Sequence, residues 1–367
     1  MEQTTINNKF LIALSQFSKF GPASLRKIKN FFSDWEAGFN ADKTDLVRAG
    51  LNEKTAEEFV IFRSAINPDA LLADMDKEGV QALSLADPEY PALLREIYDP
   101  PALLYYRGHW PAPERHGLAV VGTRKFTPYG RQATEQLAGD LARCGFVIVS
   151  GLALGIDAIA HEAALRAGTA TLAVLGSGLS RSAIYPSANR YLADRIAAEG
   201  GAVISEFPLG AEPLRHHFPQ RNRVIAGLCL ATLVIEAGEK SGALITARQA
   251  LEQNRDVFAV PGPIFSPASI GPNMLIKQGG MPVTSAQDII TALDLKQITA
   301  YIDNKKIMPQ TAEEKILLPL LSYEPVHIDD LTRQSGLAAA IVAATLMVME
   351  MKGLAKNCGG LKFVAGR

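Results

Sequence analysis

The stretch Arg215–Arg223, RHHFPQRNR, carries three arginines, two histidines and one phenylalanine, and no acid. A guanidinium stays charged and grips phosphate through a planar fork. An aromatic ring set among cations offers a face on which an unpaired base can stack. Arg215, Phe218, Arg221, Asn222 and Arg223 therefore read as a groove for single-stranded nucleic acid. The plainer alternative is a helix start with solvated arginines and a core Phe218. Arg124 and Lys125, in GTRKFTPYG, add two cations from another segment. Gly151, Gly155, Gly176, Gly178 and Gly242 lie where glycine lets a backbone approach an anion, although tight turns need glycine in any case. Lys240 and Ser241 precede Gly242 in EAGEKSGALIT and read as part of the same rim.

Other chemistries fit less well. Glu206 and Glu236 each follow an apolar run directly, and paired carboxylates at a cleft can act as general acid and base. No activated nucleophile stands beside them, so they read instead as ion-pair partners of Arg221 and Arg223. His216 and His217 are adjacent and diverge. Asp157 and His161 are one helical turn apart without a third ligand at matching spacing, so no metal is expected. GSGLSR breaks the dinucleotide fingerprint with Arg181 in its last place, and no Walker loop is present, so no nucleotide cofactor is expected. Cys144, Cys229 and Cys358 form no CxxC pair; reduced thiols are expected rather than a zinc ribbon or a disulfide framework.

The elements that must hold these residues follow from periodicity. Short apolar runs at 118–121, 146–149, 171–175, 202–205, 231–235 and 257–260 alternate with amphipathic helical stretches. Continuous apolar strands separated by helices predict a parallel sheet covered on both faces, a doubly wound α/β domain. Each candidate loop follows one of these strands, where such sheets bind ligands. Residues 1–70 read as a helical module of the helix-hairpin-helix or SAM-like kind, broken at Gly21-Pro22. Residues 80–297 form the Rossmann-like domain, 298–312 a polar linker, and 313–367 three helices and a hairpin, the winged-helix pattern. The helix expected over 337–352 carries only Glu350 and Lys352 as charges. It is a poor reader of duplex DNA, whose affinity rests on Lys and Arg contacts to phosphate. The tail is therefore expected to dock protein or pack on its own chain.

The whole chain of 367 residues has 37 Lys+Arg against 38 Asp+Glu, a net charge of −1. Any polyanion must then meet a local basic patch rather than a global field. The N-terminal MEQTTINNKF lacks the layout of a secretory signal, and the greasiest run, 337–349, is short of a membrane span, so a cytoplasmic protein is expected.

Taken in order, DPEYPALLREIYDPPALLYYRG, VVGTRKFTPYG, VSGLALGIDAIAHEAAL, LGSGL with IYP, ISEFP, HFPQRNRVIAGL, VIEAGEKSGALITARQALEQNRDVFAVPGP and GPNMLIKQGG closely resemble the motifs of the DNA-processing protein A (DprA/Smf) family. The resemblance runs over roughly residues 86–283. It implies an extended Rossmann domain that binds single-stranded DNA. It further implies a homodimer and a role in natural transformation, in which competent cells load the RecA recombinase onto incoming strands for recombination. It implies no enzymatic activity. By motif, Arg124 becomes a phosphate contact, Gly151 and Gly155 permit close backbone approach, and Asp157, Glu206 and Glu236 support the rim. Ile270, Leu275 and Ile276 become dimer-surface candidates, or else ordinary helix core. Two rival readings stand beside it. One is a Rossmann-like nucleotide hydrolase of the lysine-decarboxylase-like type, with Glu236 activating water. The other is a scaffold that binds only protein.

Overall fold

The computed structural model describes residues 2–111, 116–294, 311–322, 325–352 and 354–365. The chain divides into two compact units, Met1–Leu295 and Lys296–Arg367.

In the first unit, nine strands form one sheet: β1 (Val80–Ser84), β2 (Leu103–Gly108), β3 (Gly117–Val121), β4 (Val147–Ser150), β5 (Thr171–Leu175), β6 (Ala202–Ser205), β7 (Ala231–Val234), β8 (Asp256–Ala259) and β9 (Met281–Pro282). Their spatial order is β1-β2-β6-β5-β4-β3-β7-β8-β9. From β6 to β9 every pairing is parallel, while β1 and β2 pair antiparallel at one edge. Strands β3 to β7 are buried along their whole length, which is why they read as unbroken apolar runs. The sequence reading missed β1, β2 and β9. The first two form an antiparallel ribbon outside the strand–helix alternation, and β9 is only two residues long.

Helices α1 (Glu2–Ser15), α2 (Pro22–Phe31), α3 (Trp35–Asn40), α4 (Lys43–Arg48), α5 (Glu53–Arg63) and α6 (Pro68–Lys77) precede the sheet. Then come α7 (Ala92–Arg95), α8 (Pro128–Arg143), α9 (Ile156–Arg166), α10 (Arg190–Ala198), α11 (His217–Gly227), α12 (Gly242–Glu252), α13 (Ile270–Lys277) and α14 (Ala286–Ala292). Side chains alternate along each strand, so the sheet feeds two cores. Tyr105, Ala173, Leu175 and Val203 join one core with Leu192 and Ile196 of α10 and with Phe10, Phe17, Phe39 and Phe59 of the N-terminal helices. Leu104, Leu172, Val174 and Ile204 join the other with Val224 and Ile225 of α11, Ala247 of α12 and Leu275 of α13. The N-terminal helices thus share a hydrophobic core with the sheet.

The chain leaves β3, runs through β4, β5 and β6 to one side, then returns past β3 to lay down β7 and β8 on the other. The switch point of this doubly wound sheet lies between β3 and β7, where the loops after two neighbouring strands depart in opposite directions. A crevice at their carboxyl ends is the expected ligand site.

The second unit contains α15 (Ala312–Leu317), α16 (Ile328–Ser335) and α17 (Ala339–Met351), with β10 (Val326–His327), β11 (Ala355–Asn357) and β12 (Lys362–Ala365) in the order β10-β12-β11. This is a winged-helix arrangement with its own core of Leu317, Leu331, Val342, Leu346, Met349 and Phe363. The outer side of α17 shows Ile341, Met347 and Val348. Among the described residues no single helix is long and apolar enough to cross a membrane.

Candidate nucleic-acid interface

A cavity of about 460 Å³ opens at the switch point. The β3 loop supplies Gly122, Thr123 and Arg124 to it, and the β7 loop supplies Gly238, Lys240, Ser241 and Gly242. Ala153, Asp157, Phe218, Arg221 and Asn222 complete the wall. Of the residues expected from sequence, eight meet here: Arg124, Asp157, Phe218, Arg221, Asn222, Lys240, Ser241 and Gly242. Lys125 and Arg215 are exposed but do not line it.

Each wall has a local cause. Gly155 caps α9 at φ +86°, a conformation costly for other residues, and a Cβ there would lie 2.5 Å from the Thr123 carbonyl oxygen. That close approach sets the β3 loop, and Arg124 with it, against the start of α9. Ser241 is the N-cap of α12, its hydroxyl accepting from the Ala243 N–H at 3.3 Å. The α12 N-terminus therefore opens on the cavity between Arg124 and Lys240, and such helix ends favour anions. Phe218 is half-buried, with Gly176 beneath it; a Cβ on Gly176 would stand 3.0 Å from the ring. The Arg124 guanidinium lies 6.0 Å from the ring centroid.

The arginines of α11 depart from the sequence reading. Arg221 is 5% exposed and Arg223 is 9% exposed, so neither is a free clamp in an open groove. Arg221 forms part of the inner wall and donates to the carbonyls of Gly151, at 2.9 Å, and Val174. Burial lowers its pKa to about 10, against the pull of Asp157, and it stays charged at neutral pH. Asp157 accepts from the N–H groups of Gly151 at 3.1 Å and Ala153 at 3.4 Å, while burial pushes its carboxyl upward. The Gly151 N–H is thus already spent and does not serve an incoming phosphate. Arg223 pairs with Glu206, and its Nε lies 3.8 Å from Asp99. Burial raises the Glu206 carboxyl to about 7, with Arg223 pulling the other way. The physical reason is helix facing: residues 221–227 of α11 are all buried. A run of basic letters does not reveal that facing.

Glu206 therefore holds an arginine, as expected, but Glu236 does not. Its two oxygens accept from the Thr127 hydroxyl and from the Thr127 N–H at 2.9 Å, while the Thr127 hydroxyl caps Gly130. It is 2% exposed and braces the start of α8. Gly178 is buried under the 208–211 turn, with its N–H donated to the Ala211 carbonyl, and is absent from the cavity wall. Of the proposed dimer residues, Leu275 is core, Ile276 is half-buried against that core and Ile270 is 44% exposed. Sequence reasoning missed Thr123 and Ala153. Thr123 stands in the GTR motif already singled out, whereas the small Ala153 gives no signal.

The fold and site define a doubly wound α/β protein with a cationic cavity at its switch point, followed in the chain by a winged-helix unit. The sequence profile of DNA recombination-mediator protein A matches residues 81–294, and that of the DprA winged helix domain matches 304–360. The chain is 35% identical to Protein Smf of Synechocystis, over 96% of this chain and 98% of that one. It is 45% identical to DNA processing protein DprA of Streptococcus pneumoniae, over 58% of this chain and 74% of that one. The X-ray structure of the Streptococcus pneumoniae protein superposes with a TM-score of 0.66 at 36% identity, covering 77% of this chain and 97% of that one. A Helicobacter pylori DNA processing protein A, whose structure addresses its single-stranded DNA binding mode, superposes with a TM-score of 0.52 at 32% identity, covering 59% of this chain and 96% of that one. The chain belongs to the DNA-processing protein A (DprA/Smf) family.

Proposed function

We propose that this protein binds single-stranded DNA in the switch-point cavity, protects incoming strands, and helps load the RecA recombinase onto them during natural transformation. The carrying observation is the convergence of Arg124, Lys240 and the α12 N-terminus beside the half-buried ring of Phe218. That combination supplies phosphate contacts and a stacking face, both tolerant of base identity, and it suits a sequence-tolerant binder. Single-stranded DNA binding by the Helicobacter pylori relative supports a single-strand role. A homodimer working in the cytoplasm completes the proposal. Ile270 is its remaining exposed anchor, with Ile264 at 79% and Phe265 at 93% exposure nearby in sequence. Two cavities held on one strand would raise the effective affinity.

The hydrolase alternative is less favoured, because Glu236 is 2% exposed, braced by Thr127 and outside the cavity wall. A binding role without catalysis fits better. Fluorescence anisotropy with a labelled unstructured oligonucleotide and its duplex tests the proposal. Single strands should bind more tightly, and Phe218→Ala should weaken binding without changing its salt dependence. Equal affinity for the duplex, or no binding of single strands, would end the reading.

A further inference from the structure

We infer that Tyr185 is a second base platform beside Phe218, so that the site takes two successive unpaired bases rather than one. The inference rests on the single-strand reading above. The Tyr185 and Phe218 ring centroids are 5.8 Å apart and the ring planes meet at 60°. Tyr185 lies outside the cavity wall, just past the edge of the ring that forms part of it. It is 44% exposed, and its ring meets Phe218 in a T-shaped contact.

The backbone beneath Tyr185 is fixed on both sides. Ile184, directly before it, is 1% exposed and belongs to the core shared with the N-terminal helices. The Arg190 side chain donates to the carbonyls of Ser182 at 2.6 Å and Ile184 at 3.3 Å. Asn189, directly before α10, is buried and donates to the carbonyls of Leu152 at 2.8 Å and Ala153 at 3.2 Å. Ala153 is itself part of the cavity wall. The loop after β5 is thereby tied to the loop that builds the pocket. A large exposed ring on a tethered backbone loses little further freedom when a base stacks on it, and stacking is tolerant of base identity.

The 60° angle has a consequence for the ligand. Bases lying on the two rings cannot be parallel to each other. Two neighbouring nucleotides would be turned apart, a geometry open to unpaired strands and closed to duplex, where successive bases stay stacked.

The test measures binding of a labelled single-stranded oligonucleotide by the full chain and by Tyr185→Ala, Tyr185→Leu, Tyr185→Phe, Phe218→Ala and the Tyr185→Ala/Phe218→Ala double variant, with melting curves for each. Tyr185→Ala and Tyr185→Leu should lose roughly 5- to 150-fold in affinity, the equivalent of about 1–3 kcal/mol for one base. Tyr185→Phe should bind as the parent does, and the salt slope should be unchanged. If the two rings hold separate bases, the losses multiply in the double variant. A double variant no weaker than Phe218→Ala would show that Tyr185 only props the neighbouring ring, and would overturn the inference. So would parental affinity in Tyr185→Leu, which keeps apolar bulk without the ring and covers the case in which Tyr185→Ala fails to fold. A parent chain that binds no single strand sinks the functional reading instead.

Discussion

Exchanging Arg124 and Arg221 for alanine, one at a time, separates a ligand contact from a structural charge. Arg124 is exposed on the β3 loop and faces the cavity. Removing it deletes one phosphate contact, which should flatten the log–log salt slope of single-strand binding by about 0.7. The melting temperature should hold, since surface substitutions usually stay within about 0.5 kcal/mol. Arg221 is 5% exposed, donates to two carbonyls and faces Asp157. Its loss leaves two buried carbonyls without their donor and removes a countercharge near Asp157. Leaving a buried carbonyl unpaired costs about 1–3 kcal/mol, so the two together cost about 2–6 kcal/mol. At about 2–4 °C per kcal/mol for a domain of this order, melting should fall by about 4–24 °C. The assays are differential scanning calorimetry and anisotropy titrations across a salt series. If Arg221→Ala melted with the parent and flattened the slope as Arg124→Ala does, the interior assignment of Arg221 would be wrong.

Further outcomes follow from the same geometry. Glu206 is raised from 4.5 to about 7, so the folded state binds more protons than the unfolded one between those values, and this group removes stability as pH rises across that window. Glu206→Gln should abolish that loss, about 3 kcal/mol in all. Urea unfolding from pH 4.5 to 7 should then rise more steeply with pH in the variant; parallel curves would contradict it. His161, lowered to about 3 by burial and then by Arg221, acts in the opposite sense: its contribution to stability grows as pH rises from 3 to 6.5. His161→Gln should therefore weaken acid unfolding over that range, read by circular dichroism. Gly155→Ala forces a Cβ toward the Thr123 carbonyl at a positive φ, at a cost of about 1–3 kcal/mol. It should weaken DNA binding as well, because Arg124 must shift; unaltered binding would uncouple the two loops.

Much of this protein was legible as a string. The apolar runs gave the strands of the parallel sheet, because strands covered on both faces carry no polar alternation to blur them. The tail's helices and glycine-centred hairpin gave the winged-helix unit, and its apolar helix proved to be α17, with Ile341, Met347 and Val348 turned outward. Arg124, Phe218, Lys240 and Gly242, singled out on their loops, line one cavity because the loops after parallel strands converge on one edge of the sheet.

Tertiary structure alone decided which basic residues face solvent. RHHFPQRNR looks uniformly cationic, but the rotation and depth of α11 leave Arg215 outside and turn Arg221 and Arg223 inward to carbonyls and Glu206. It also decided that Glu236 braces Thr127, and that Tyr185 and Phe218, 33 positions apart in the chain (218 − 185), meet in a T-shaped ring contact. Residue type and local period fix what an element is. Its facing depends on contacts between segments distant in sequence, and no local pattern encodes those contacts.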